Sequence, residues 1–178
     1  MTFSNPAGNA AAAAGSYVGA LLDLLGPRDP LMVMAELIPW LDNRIRDVPE
    51  NALRRPEAPG KWSVLQVIKH LADSELVMGY RVRMVLTQDR PPLPGYDQDQ
   101  WAGEFHYAEV PLPIALDQLR ALRAANLHLW TRLTPAQLER VGLHAERGAE
   151  SAGHLLRLAG AHDLVHRRQI DRILSTLR

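Results

Sequence analysis

Cysteine is missing from all 178 residues, which excludes disulfides, thiolate metal ligands and a cysteine nucleophile. Any sulfur chemistry in this protein needs a thiol brought in from outside. An excess of one charge is missing as well: 20 basic residues balance 20 acidic ones, the formal net charge is zero, and no basic block interrupts the chain. That disfavours general nucleic-acid binding and an anionic membrane partner, and fits a small-molecule substrate better. No apolar run approaches the roughly 20 residues needed to span a bilayer. The alanine run near the start lacks a charged region before it, so no secretory signal is read and a cytoplasmic protein is expected. Repeats and convincing strand alternation are also lacking.

What the chain does have is a hydrophobic content of 47%, enough to bury a core without staples. Residues 1–15, rich in Ala, Gly and Asn, are expected to form a loose lead-in whose alanines can extend a helix. Residues 16–178 then form a single domain. Gly26-Pro27 stops a short helix over 17–25, and Asp29-Pro30 opens a second stretch to about residue 48, with Pro39 as a candidate kink. Pro59-Gly60 breaks the chain before Ser63, which caps a helix running to about residue 86, with Gln66 completing a capping box. Prolines and glycines over 87–113 exclude one regular element and predict a long connection. Trp101, Glu104, His106 and Tyr107 there either roof a pocket or strap the core. A third long helix covers 114–133, Thr134-Pro135 starts a short one, 142–148 reads as a loop, and the last long helix begins near Ser151. The fold class is all-α: a four-helix bundle with short accessory helices and a long loop between its second and third helices.

Chemistry concentrates in histidine. In His162-Asp163-Leu164-Val165-His166 the two imidazoles lie four residues apart, on one helix face about 6 Å from each other, and can converge on one ion. His70 falls on the inward stripe of another long helix. Three histidines on facing bundle helices match the way bundles build metal sites and leave a coordination position open. The bland alternative is three core histidines satisfied by hydrogen bonds. His154, His128 and His144 are read as structural, surface or loop residues, whereas His106 is a candidate fourth ligand or proton carrier. Asp73, three residues after His70, is a candidate to orient an imidazole, accept a proton or bind the metal. Arg81 is a candidate anchor for an anionic substrate, or simply a surface residue. The order His-Asp-x-x-His departs from the zinc-protease motif, and the two Glu-x-x-His pairs of a di-iron bundle are absent.

Pro59-Gly60-Lys61-Trp62-Ser63-Val64, His70-Leu71-Ala72-Asp73-Ser74-Glu75 and His162-Asp163-Leu164-Val165-His166-Arg167-Arg168-Gln169-Ile170 together resemble the DinB/YfiT-like family. The resemblance covers most of the chain from about Tyr17. It implies an up-down-down-up bundle, a homodimer, and a divalent metal on His70, His162 and His166. Some members are S-transferases or isomerases using low-molecular-weight thiols, and many are called metal-dependent hydrolases. The leading expectation is therefore an enzyme with one divalent transition metal, zinc or nickel before iron or copper, that activates an external thiol or water. A non-catalytic metal-binding stress-response protein and a metal-free interaction module are the alternatives.

Overall fold

The computed structural model describes residues 10–176, in which helices α1 (Ala10–Leu25), α2 (Pro30–Ile45), α3 (Glu50–Leu53), α4 (Val64–Thr87), α5 (Gln98–Glu104), α6 (Leu112–Trp130), α7 (Pro135–Leu138) and α8 (Ala152–Ser175) alternate with strands β1 (Pro92–Leu93), β2 (Val141–His144) and β3 (Gly148–Ser151). Cross-helix contacts give the direction of each helix. Along α4, Asp73, Glu75 and Gly79 face Gln118, Arg123 and Asn126 in the same order, so α4 and α6 run parallel. Pro30, Glu36 and Arg44 meet Gly160, Arg167 and Asp171, so α2 and α8 are parallel too. Asp42 pairs with Arg120 while Met34 meets Arg123, which makes α2 antiparallel to α6. The bundle α2–α4–α6–α8 is thus up-down-down-up, the order the family resemblance implies.

Local chemistry starts most elements where the sequence says it should. The Ser63 hydroxyl accepts from the Gln66 amide at 3.3 Å and Gln66 Oε1 accepts from the Ser63 amide at 2.9 Å, a complete capping box. Thr134 and Gln137 repeat it, Asp29 caps α2, and Ser151 caps α8. Helix α2 continues through Pro39 without ending. Helix α6 begins at Leu112, two residues earlier than expected, because Pro113 sits in its first turn, where a missing N–H costs nothing. The expected lead-in is helical from Ala10, and its residues 1–9 lie outside the described residues.

Two sequence expectations need correction. The segment 142–148, read as a loop, is mostly a β-hairpin, and β1 pairs parallel with β2 in a three-stranded sheet of order β1-β2-β3. Strands of two and four residues are too short to show alternation. The long connection is also not structureless: it holds β1 and α5, the latter capped by Asp97.

Apolar packing is split. Leu65, Ile68 and Leu71 of α4 pack with Ile170 and Ile173 of α8 at one end, while Val82, Val85, Leu155 and Trp130 fill the other. Between them lies a buried polar layer. Arg123 forks onto Asp163 at 2.5 and 2.9 Å, reaches Glu75 at 3.0 Å and donates to the Met34 carbonyl at 2.7 Å. Asn126 donates to Glu75 at 2.8 Å and packs so close to Gly79 that a Cβ there would stand 2.5 Å from its oxygen. Burial, opposed by the Arg123 fork, holds the Asp163 carboxyl up to about 6.

Removing the cation of this layer leaves two buried carboxylates uncompensated. Arg123→Ala is expected to destabilise the fold by about 3–5 kcal/mol, read as a drop in the urea midpoint. A change within about 0.5 kcal/mol would remove the layer from the account of stability.

Candidate metal centre

Helices α4 and α8 bring three imidazoles together across 92 residues of chain. His70 Nε2 stands 3.1 Å from His162 Nε2, and His166 Nε2 stands 3.0 Å from His162 Nε2. All three ligand atoms lie within 4.8 Å of one another. His70 and His166 are buried, and His162 is half-buried where the polar layer meets the surface.

The donor set suits a divalent ion. Three nitrogens bound at about 2.05 Å in tetrahedral geometry stand about 3.3 Å apart, so the His70–His162 and His162–His166 separations need to open by only a few tenths of an ångström. His166 Nδ1 donates to Gln169 Oε1 at 2.7 Å, which places its proton on the outer nitrogen and turns the Nε2 lone pair inward. Burial pushes His70 and His162 well below the usual imidazole value, with neighbouring histidines adding to it, and lowers His166 to about 4. At neutral pH all three are uncharged, the form that ligates metal. A purely hydrogen-bonded core trio would turn its donors to acceptors; here His70 Nδ1 is buried with no hydrogen-bond partner among the described residues.

The other sequence candidates fall elsewhere. Asp73 is buried but already holds three donors: Lys69 at 2.5 Å, Tyr107 at 2.5 Å and Gln118 at 2.9 Å. It ties the connecting strap and α6 to α4 and does not orient His70. His106 is exposed, with a backbone φ of 47°, outside the histidine cluster. Of the four residues considered as a roof, Tyr107 is fully buried under the strap, and none lines the cleft described next. Arg81 is buried rather than on the surface, and His144, read as a surface or loop residue, is a buried residue of β2 whose Nε2 lies 3.3 Å from it. Asp163 turns away from the histidines to Arg123.

A cleft of about 1460 Å³ opens onto His162 and His166. Ser74 lies in its wall, 3.4 Å from His70 Nε2 and 3.1 Å from the Tyr96 hydroxyl. From the sequence, Ser74, Tyr96 and Gln169 have no individual role, and His144 is expected at a surface or loop position. Ser74 and Gln169 carried a readable signal, four residues after His70 and three after His166. Tyr96 and His144 sit in short irregular segments and carried none.

The sequence profile of the DinB superfamily matches residues 40–170, which include all three histidines. A protein of Oceanobacillus iheyensis provisionally named a metal-dependent hydrolase is 33% identical over 129 residues, covering 71% of this chain and 74% of its own. A protein of Bacillus mycoides with the same kind of name is 28% identical over 137 residues, 77% of this chain and 79% of its own. The solved structure of YfiT from Bacillus subtilis, described as a probable metal-dependent hydrolase with an unusual four-helix bundle topology, has a TM-score of 0.72 at 24% identity. It covers 82% of this chain and 86% of that one, and it supports the fold.

The lowered imidazoles set a pH dependence. With His166 at about 4 in the folded chain against 6.5 unfolded, the unfolded state binds more protons between those values. Stability from this group is therefore full above about pH 6.5 and lost as pH falls through about 4. Asp163 acts in the opposite direction, so the comparison is with His166→Gln. Thermal unfolding of metal-free protein at about pH 7.5 and about pH 5 should show a larger loss on acidification in the wild type than in the variant. Equal losses would mean that His166 is not held neutral by burial.

Proposed function

This chain belongs to the DinB superfamily, and on that premise we propose that it is a metal-dependent enzyme acting on a small electrophilic molecule at His70, His162 and His166. The observation that carries the reading is three Nε2 atoms turned toward one point beside an open cleft. A divalent ion held there would act as a Lewis acid and lower the pKa of a nucleophile bound beside it, either water or an external low-molecular-weight thiol. Zinc and nickel suit three imidazoles best, with iron and copper as further options. The hydrolase names of the relatives support water, and the absence of cysteine is compatible with a thiol arriving from outside.

The chain's own residues supply the rest. Gln169 fixes the tautomer of His166, and the buried walls keep the imidazoles neutral. The Ser74 and Tyr96 hydroxyls line the approach with groups that donate or accept. Asp73 acts indirectly by holding α6 and the strap against α4, and His106 is given no role. Among the described residues the histidine and carboxylate donors stop at three, which leaves a position for substrate and disfavours a purely structural ion. A cytoplasmic homodimer belongs to the same proposal on sequence grounds. No helix of the described residues is long and apolar enough to cross a membrane.

Elemental analysis of protein purified without a metal-affinity tag, beside His166→Ala, tests the reading. About one divalent ion per chain is expected in the wild type and a large loss in the variant. If neither takes up metal, even after zinc or nickel is added, the three-histidine centre is refuted. If both keep it equally, His166 is not a ligand. Where metal is found, thiol transfer and hydrolysis are then assayed side by side.

A further inference from the structure

Away from the histidines the cleft reaches Met78, Arg81, Tyr96 and His144, and charge there is unevenly matched. Of the other five cleft-lining guanidiniums, Arg28 and Arg168 are exposed to solvent, while Arg123, Arg147 and Arg172 meet carboxylates: Asp163 and Glu75, Glu150, and Glu57. Arg81 is only 5% exposed, and its hydrogen-bond partners are all neutral. They are the Pro94 carbonyl at 2.6 Å and the Met78 sulfur at 3.9 Å; Nη2 also stands 3.3 Å from His144 Nε2, and the Arg81 Nε has no partner among the described residues. Glu150 and Glu146 act on Arg81 from a distance, with no ion-pair contact among the described residues; a buried cation without a carboxylate in contact is costly, and a ligand carboxylate would lower that cost.

His144 sharpens the point. Its Nδ1 accepts the Glu146 amide hydrogen at 3.2 Å. A neutral imidazole that accepts at Nδ1 carries its proton on Nε2, and that N–H faces the Arg81 Nη2 donor to donor. Burial and the charges of Arg147 and Arg81 push His144 down to about 4, so the ring is neutral near pH 7. Two donors therefore share one stretch of cleft wall, where the Pro94 carbonyl accepts from Arg81 Nη2 and no acceptor among the described residues meets the His144 Nε2 proton. The Glu146 carboxylate also lines the cleft, which favours a singly charged anion over a doubly charged one.

We propose that Arg81 and His144 form a carboxylate-binding subsite, so that the substrate is an elongated small molecule with a carboxylate at the end remote from the histidines. His70 and Arg81, eleven residues apart on α4, are separated by about 16 Å along the axis. The arginine side chain leans back toward the helix start, which leaves about 10 Å between the carboxylate and the reacting group. The placement of the reacting group rests on the three-histidine reading, whereas the anion subsite itself does not.

Octanoate and uncharged octanamide, titrated into the full chain stripped of metal, test the subsite without an ion to attract the carboxylate. Octanoate is expected to bind about tenfold or more tightly than octanamide by calorimetry, with a saturable shift of the His144 ring resonances. Arg81→Met should abolish that preference, with circular dichroism reporting its fold. Should that variant unfold, Arg81→Lys and His144→Phe make the same comparison, and each should shrink the preference. Equal binding of the two probes, or a preference that survives these substitutions, overturns the proposal. Either result leaves the metal reading standing, and a chain that selects octanoate but takes up no metal would sink only the metal reading.

Discussion

One guanidinium, that of Arg123, is held between two buried carboxylates, and the bundle's geometry follows from it. It joins Asp163 of α8, Glu75 of α4 and the Met34 carbonyl of α2 to its own helix α6. Such a cluster has little tolerance for rotation, because a buried ion pair is favourable only while its forked geometry holds. Asp163 follows His162 in sequence, so turning Asp163 inward sets the rotation of α8 and with it the direction of His162 and His166. Glu75 does the same for α4 and His70. Each carboxylate is fixed on its own helix, so the ion pairs constrain which faces meet, while the apolar clusters supply most of the burial.

This division of labour explains the layered interior. Apolar clusters at the two ends supply the driving force for burial, and the polar layer between them gives up some of it for orientation. A site of three neutral imidazoles needs such a layer. Its walls must be dry enough to keep the rings unprotonated, yet the layer must reach the surface on one side, where His162 meets the cleft. The antiparallel pairing of α4 with α8 provides both.

The connections contribute more than their irregular sequence suggests. Tyr107 passes under the strap to Asp73, which fixes the crossing from α4 to α6, and Tyr96 comes to rest beside Ser74 in the cleft. The small sheet brings His144 against Arg81. Segments rich in proline and glycine thus build one wall of the cleft while long helices build the other, a common division because loops carry varied side chains on a rigid frame.

Sequence by itself determined the local chemistry. Ser63 with Gln66, Thr134 with Gln137, Asp29 and Ser151 mark helix starts because each cap is satisfied within three residues. The four-residue spacing of His162 and His166, and the inward stripe carrying His70, were legible for the same reason, since helical periodicity relates near neighbours. Only the tertiary structure decided that Asp73 serves Tyr107 and Gln118 rather than His70, that Asp163 serves Arg123, and that His144 is buried against Arg81. Those partners lie 34, 45, 40 and 63 residues apart. A buried polar group takes whichever partner the packing of helices presents, and a one-dimensional pattern shows that a side chain faces inward without showing what it will meet there.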